Sequence, residues 1–244
     1  SRTSITVAAG SYFPYLVSLS VLLTVFVLPV MGPVADRTLH KRRLMAGAAY
    51  LGAGATIAMA FVTGDRYLLG GFLFVVANVA FGAAVVVYNS FLPALGGPDD
   101  RDAISSRGWA LGYLGGGLLL LLNLVVVTLL EEEGNPQRTL DLARWCIVSA
   151  GVWWAAFTLI PLRWLRERPS AEATAAVGNV VTDGFKQLGR TIRGLKAYPL
   201  TLFFLLAFLV YNDGIQTVIA LASQYGTEEL RLRVFGTCEA PSIW

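Results

Sequence analysis

The chain has 244 residues, of which 55% are hydrophobic and only 14% charged, with a mean hydropathy of +0.61. A soluble domain of that length needs far more charge to cover its surface, so a water-soluble globular fold is excluded. The formal net charge of +3 does not point to nucleic acid, because the charges lie between long apolar blocks, where a membrane protein uses them to set topology.

Six apolar blocks follow one another, at Tyr12–Met31, Leu44–Val62, Tyr67–Leu92, Trp109–Leu130, Ala143–Trp164 and Leu200–Tyr225. Crossing the hydrocarbon core takes about 20 mostly apolar residues. A segment in lipid must satisfy its own backbone hydrogen bonds, so each block is predicted to be a helix. Barrel strands would be short and alternating, which these blocks are not. The predicted fold class is an all-α polytopic membrane helix bundle. Trp145 and Trp164 bracket the fifth block. Their separation on a helix is roughly 28 Å, close to the hydrocarbon thickness. They read either as interface anchors or as bundle packing.

The connections alternate in charge. The first, third and fifth carry thirteen Lys and Arg residues, and the second and fourth carry three. The positive-inside rule places the odd connections in the cytoplasm. Ser1 then lies outside, and a helix preceding the first block is expected. The fifth connection, Arg163–Tyr198, is the long one. Its first part, Arg166–Val181, is polar and Ala-rich; further on, Phe185, Leu188, Ile192 and Leu195 recur at helical spacing among Lys186, Arg190 and Lys196. This reads as an amphipathic helix on the cytoplasmic face or as a linker helix packed on the protein.

The first cytoplasmic turn reads Gly32-Pro33-Val34-Ala35-Asp36-Arg37, followed by Thr38-Leu39-His40-Lys41-Arg42-Arg43. Gly32 permits close backbone approach at a helix end, Asp36 can pair with a cation or face a helix N-terminus, and the basic cluster holds the turn at anionic headgroups. A plain basic topology signal would account for the cluster alone. The complete pattern, a Gly, an Asp-Arg pair four residues on and then a basic run, resembles the signature loop of the major facilitator superfamily. That resemblance implies a secondary active transporter of twelve helices in two halves, with the signature between the second and third helices and a cytoplasmic linker after the sixth. The present blocks then correspond to helices 2–7 of 12, a partial major-facilitator fold. Residues 1–165 form the N-terminal half lacking its first helix, 166–198 the linker, 199–228 the first helix of the C-terminal half, and 229–244 an atypical tail. Gly32, Asp36, Arg37, Arg42 and Arg43 become the expected conformational-gating loop.

Three further stretches narrow the resemblance: Tyr88-Asn89-Ser90-Phe91-Leu92-Pro93, Gly112-Tyr113-Leu114-Gly115-Gly116 and Tyr211-Asn212-Asp213-Gly214-Ile215-Gln216-Thr217. They look like the branch containing the autophagy-linked vacuolar amino-acid effluxers and their bacterial relatives. The resemblance implies a small-molecule substrate, with amino acids the first expectation, and a multi-pass place in the bacterial inner membrane. It runs from about Tyr12 to Leu230. Arg231–Trp244 departs from it, being too short and polar to span, as a truncated or shifted reading frame would leave it.

A carboxylate at mid-depth costs about 2.5–3.5 kcal/mol on insertion scales, so Asp213 must face a cavity, pair with a cation or carry a proton. Gly214 beside it permits a local break in the helix. Asp213, Asn212, Gln216 and Tyr211, together with Asn78 and Asn89, are the candidate substrate or ion pathway, with a proton the first expected coupling ion. For Asp213 the competing reading is a structural hydrogen bond to a neighbouring helix. Asn78, Asn89 and Asn123 read equally as interhelical glue, a contact worth about 1 kcal/mol. Stripes of small residues at Gly108, Gly112 and Gly116, and at Ala48, Gly52, Thr56 and Ala60, suit close helix packing.

No phosphate-cradling Gly-rich motif is visible, the single His40 has no metal-ligand spacing around it, and no nucleophile–base pair can be argued. No cofactor, no metal, no catalytic residue and no nucleic-acid partner are expected; the expected partners are membrane lipid and a small solute. A non-transporting scaffold or receptor is the rival class, and only the 166–198 connection would offer it an interaction surface. An intramembrane enzyme would want paired acids or a Ser–His pair at depth, which Asp213 alone does not meet. Cys146 lies in an apolar block and Cys238 in the polar tail, so no disulfide between them is expected.

Overall fold

The computed structural model describes residues 9–38, 40–63, 66–97, 99–132, 135–165, 186, 189–191 and 193–228. Among these, the regular structure is helical throughout: α1 (Ala9–Arg37), α2 (Lys41–Met59), α3 (Tyr67–Asn89), α4 (Leu92–Leu95), α5 (Arg101–Leu130), α6 (Pro136–Trp164) and α7 (Pro199–Glu228). The chain is an all-α polytopic membrane protein. Of the residues expected to form the linker helix, Phe185, Leu188 and Ile192 lie outside the described ones, while 189–191 and 193–195 are helical. Arg166–Val181, Cys238 and the 229–244 tail also lie outside them.

The helices outrun the apolar blocks. α1, α5, α6 and α7 hold 29 or 30 residues each. At 1.5 Å per residue that is roughly 44 Å, enough to cross the hydrocarbon and both headgroup layers. Hydropathy marks the part of a helix inside the hydrocarbon, whereas backbone hydrogen bonding continues past it. α6 begins seven residues before its apolar block, where Pro136 opens the helix and Asn135 accepts the Arg138 N–H at 3.2 Å as an N-cap. α3 ends at Asn89 because Pro93, four residues on, has no N–H to give the Asn89 carbonyl. The chain restarts as the one-turn α4, an element that the apolar pattern does not suggest.

Six spans are expected from the sequence, and among the described residues five stretches are long and apolar enough to cross: Tyr12–Asp36, Tyr67–Leu95, Arg101–Leu130, Gln137–Trp164 and Pro199–Ile219. α2 falls short. It has 19 residues, starts with Lys41, Arg42 and Arg43, and is otherwise rich in Gly and Ala. The reason lies in its neighbours, because α2 packs along both α3 and α6 and buries Met45, Ala49, Gly52, Ala53 and Ala55. A helix covered on two sides needs small residues for contact more than bulk for lipid.

α1 packs on α3, α3 on α2, and α2 on α6. A side chain at Gly151 would meet Ile57 and sit 3.0 Å from the Ala53 carbonyl, so α6 and α2 approach backbone to backbone there. The α2 stripe is therefore a true contact surface. The α5 stripe is not: a Cβ at Gly112 or Gly116 would meet nothing within 4 Å, and only Gly108 has a neighbour, the Tyr88 hydroxyl. No described residue of α5 is buried, and every side chain of α7 whose burial is described is exposed. Trp145 and Trp164 are 69% and 82% exposed, which favours the anchor reading over packing for both.

Candidate functional site: the α1–α2 turn and the polar face of α7

Most of the signature residues are helical. Gly32, Asp36 and Arg37 end α1, while Arg42 and Arg43 follow Lys41 in the first turn of α2, leaving a three-residue turn at 38–40. The turn is closed by the Thr38 N–H on the Val34 carbonyl at 3.0 Å and by the Leu44 N–H on the His40 carbonyl at 3.1 Å. The Asp36 carboxylate reaches back across it to the Lys41 ammonium at 3.7 Å; the Lys41 side chain is 13% exposed and that of Asp36 51%. Arg42 is half-buried and Arg43 exposed, and the Arg37 side chain lies outside the described residues. A Cβ at Gly32 would meet nothing within 4 Å among the described residues.

Beneath the turn lies a buried cluster of Ala35, Met45, Val87 and Phe91, with Met31, Leu44, Leu162 and Leu165 packed around it. The ends of α1, α2, α3 and α6 on the side of the signature turn are thus fastened together beneath the Asp36–Lys41 pair. Motif reading does not find this cluster, because its members are unremarkable apolar residues at four separate helix ends.

The expected pathway residues are not brought to one place. The Asn78 amide donates to the Ser20 hydroxyl at 2.7 Å, tying α3 to α1, and Ser20 is fully buried. Ser149 donates to the Asn123 amide oxygen at 3.0 Å, tying α6 to α5. Both contacts match the interhelical reading of those amides. Ser20 and Ser149, the partners, stand in the sequence only as isolated hydroxyls in apolar runs. Asn89 is exposed at the end of α3, and Tyr88 leans towards Gly108 of α5. Tyr211, Asn212, Asp213 and Gln216 are exposed on α7, which makes no extensive contact with another described helix. The helix runs unbroken through Gly214 in this structure.

Membrane-length helices joined by a short charged turn, with amides paired between them, define a polytopic integral membrane protein. The chain matches the family described as vacuole effluxer Atg22 like over residues 2–236, and it belongs to that family. It is similar to an uncharacterized MFS-type transporter, YxiO, of Bacillus subtilis (strain 168), at 25% identity over 218 residues, 89% of this chain and 50% of the relative. It is similar to autophagy-related protein 22 of Yarrowia lipolytica, at 28% identity over 90% of this chain and 49% of that protein. Autophagy-related protein 22-1 of Penicillium rubens is 26% identical over 92% of this chain and 49% of its own length. The chain therefore spans about half the length of the curated relatives it matches. No solved structure matches it.

Proposed function

We propose that this chain supplies most of the first half, and the first helix of the second half, of a secondary active transporter that moves a small solute by alternating access. The observation that carries this reading is the signature turn. An acid ending one helix pairs with a base opening the next, over a buried cluster that joins four helix ends. A contact of that kind, a charge pair exposed enough to open above a packed base, suits a two-position latch better than a permanent brace. The family match supports the same reading.

In this proposal α1, α2, α3, α5, α6 and α7 act as helices 2–7 of twelve. Substrate binds between the two halves near the midplane, where Asn212, Asp213 and Gln216, within about 100° of one another on α7, face it, Tyr211 borders it from the side, and Asn89 lies towards its cytoplasmic end. Asn78 belongs to the helix wall behind the pathway. Amino acids are the proposed substrate class and protons the coupling ion. The proposed location is the bacterial cell membrane, with the α1–α2 turn and the 166–198 connection in the cytoplasm.

The test is counterflow. A full-length relative such as the Bacillus subtilis protein, reconstituted in vesicles preloaded with one unlabelled amino acid, should accumulate the labelled one transiently and only when protein is present. If none of the twenty common amino acids supports counterflow while another solute class does, the substrate assignment falls. If no solute exchanges, the transporter reading gives way to a membrane scaffold.

A further inference from the structure

α1 carries three prolines inside its helix, Pro14, Pro29 and Pro33. A proline has no N–H for the carbonyl four residues back. Pro29 therefore denies the Val25 carbonyl its usual bond, and Pro33 does the same to the Pro29 carbonyl. Two successive rungs of the ladder are missing on one side of the helix. Gly32, a poor helix former, lies between the two prolines, and a Cβ there would meet nothing within 4 Å among the described residues. Pro14 sits near the start of α1, away from this weak segment.

The weak segment separates two differently anchored parts of α1. Before it, the helix is fixed to α3 at several levels. Tyr12 donates to the Tyr67 carbonyl at 2.9 Å, and the Asn78 amide donates to Ser20 at 2.7 Å. Thr24 and Leu28 lie against Gly82, where an added Cβ would stand 3.6 and 3.1 Å from them. After it, the seat is of another kind. Ala35 is buried in the cluster beneath the turn with Met31 packed beside it, and Asp36 holds Lys41 at 3.7 Å. A methyl group and a flexible thioether chain leave and retake such a seat more readily than branched or aromatic side chains do. α2 packs along α3 and α6 and touches α1 much less, so the end of α1 is free to move without carrying α2 with it.

We propose that residues 29–37 form a lever, hinged at Pro29–Pro33, that swings away from α2 when the Asp36–Lys41 pair opens. The part of α1 before Pro29 stays on α3. Hinges work in this way, a few element-terminal residues absorbing the φ/ψ change while the rest of the structure holds still. The lever spans roughly 12 Å, and a bend of about 20° displaces its tip by roughly 4 Å. For its place in transport the hinge rests on the latch reading of the turn, to which it adds a fixed point of rotation inside one helix. A permanent brace would be served better by an unbroken ladder leading into the turn.

The experiment is a pulsed EPR distance measurement on this chain in nanodiscs. Cys146 and Cys238 are replaced, and spin labels sit at positions 38 and 163, beside the ends of α1 and α6. Asp36→Asn should add a second distance population, displaced by about 4 Å from the first. In that background Gly32→Ala should reduce the second population about fivefold, the effect of helix propensity at one residue. Pro29→Ala combined with Pro33→Ala restores both rungs and should remove it, whereas Pro14→Ala should leave it unchanged. Gly32→Ala adds no contact among the described residues, so it reads the hinge even if the double proline variant does not fold. A single unshifted distance in Asp36→Asn overturns the hinge, as does a second population that survives Gly32→Ala and the double proline variant undiminished. Counterflow by the Asp36→Asn equivalent in a full-length relative separates the two readings. Slowed transport with an unshifted distance keeps the latch and removes the hinge, because the halves then move as rigid bodies. Normal transport with a shifted distance keeps the hinge and removes the latch.

Discussion

The indole of Trp154 on α6 occupies the space that a side chain at Gly52 on α2 would need, and it meets the Phe81 ring of α3 in a T-shaped arrangement at 5.9 Å between ring centroids. One aromatic ring therefore ties α6 to two neighbours, and the contact exists because position 52 has no Cβ. In lipid the apolar surface of the helices gains little by mutual burial, so close packing of this kind carries much of the association.

That geometry sets the first prediction. Gly52→Ala should destabilise the folded chain by about 1–3 kcal/mol, since an added methyl in a filled contact displaces a ring and two helices. Gly112→Ala, with no atom near its Cβ, should be neutral or should gain up to about 1 kcal/mol from helix propensity. Thermal unfolding of the chain in nanodiscs measures both. The coupling can be isolated by adding Trp154→Leu, which should recover part of the Gly52→Ala loss. Equal destabilisation by the two Ala variants would show that Gly52 is not the contact described.

A second prediction separates glue from pathway at Asn78. Ser20→Ala and Asn78→Leu should each destabilise modestly, and the double variant should show a coupling of about 0.6 kcal/mol, the average for an interhelical hydrogen bond in a membrane protein. Strictly additive losses would mean that the 2.7 Å contact contributes nothing.

How much of this could be read without coordinates depends on the kind of signal. The helices are legible because each has to present an apolar length to lipid, and that requirement is local. Their ends are less so: Asn135 and Pro136 are an N-terminal signature seven residues ahead of the apolar run, and the block average hides it. The stripes at Gly52 and Gly112 look alike in sequence, yet among the described residues a Cβ at Gly52 would meet Trp154 and one at Gly112 nothing within 4 Å, because contact depends on which helix lies opposite. The same limit applies to the site. Asp36 and the basic run are legible as a motif, whereas its supporting cluster joins residues as far apart as Ala35 and Phe91.

The third prediction is topological. With Cys146 and Cys238 replaced, a cysteine at position 135 should react with a membrane-impermeant maleimide on intact cells, and one at position 170 only after permeabilisation. The thirteen-to-three division of Lys and Arg between the two sides motivates this. Reaction at 170 but not at 135 would invert the orientation.

The fourth prediction concerns the pair at the turn. In a full-length relative, the equivalent of Asp36→Asn should slow transport several-fold while leaving the amount of folded protein nearly unchanged. The Asp36 carboxylate is half exposed and 3.7 Å from Lys41, and an ion pair open to water on one side contributes about 0–1 kcal/mol, so loss of the charge alone should not unfold the protein. A latch that opens in one state and closes in the other is sensitive to that same energy, because it shifts the balance between states. Normal transport by the variant would reduce the turn to a topology signal.

The last prediction tests Asp213. It lies at the middle of a 30-residue helix, exposed, with Asn212 beside it and Gln216 one turn on. An ionised carboxylate at that depth costs about 2.5–3.5 kcal/mol unless it faces water, a cation or a proton donor, so its presence calls for a function or a partner. If it carries the coupling proton, Asp213→Asn in a full-length relative should abolish uphill accumulation driven by a proton gradient. Exchange of substrate down its own gradient should survive, because Asn keeps the size and hydrogen bonding but cannot ionise. If it only joins helices, the change should cost little, as one such hydrogen bond averages about 0.6 kcal/mol. If it pairs with a cationic group of the substrate, binding should weaken at every pH and exchange should be lost along with accumulation. Uptake and exchange in reconstituted vesicles, with and without an imposed proton gradient, distinguish the three outcomes. Unchanged uphill accumulation by the Asn variant would remove Asp213 from the proton path and leave Asn212 and Gln216 as polar contacts of an ordinary helix.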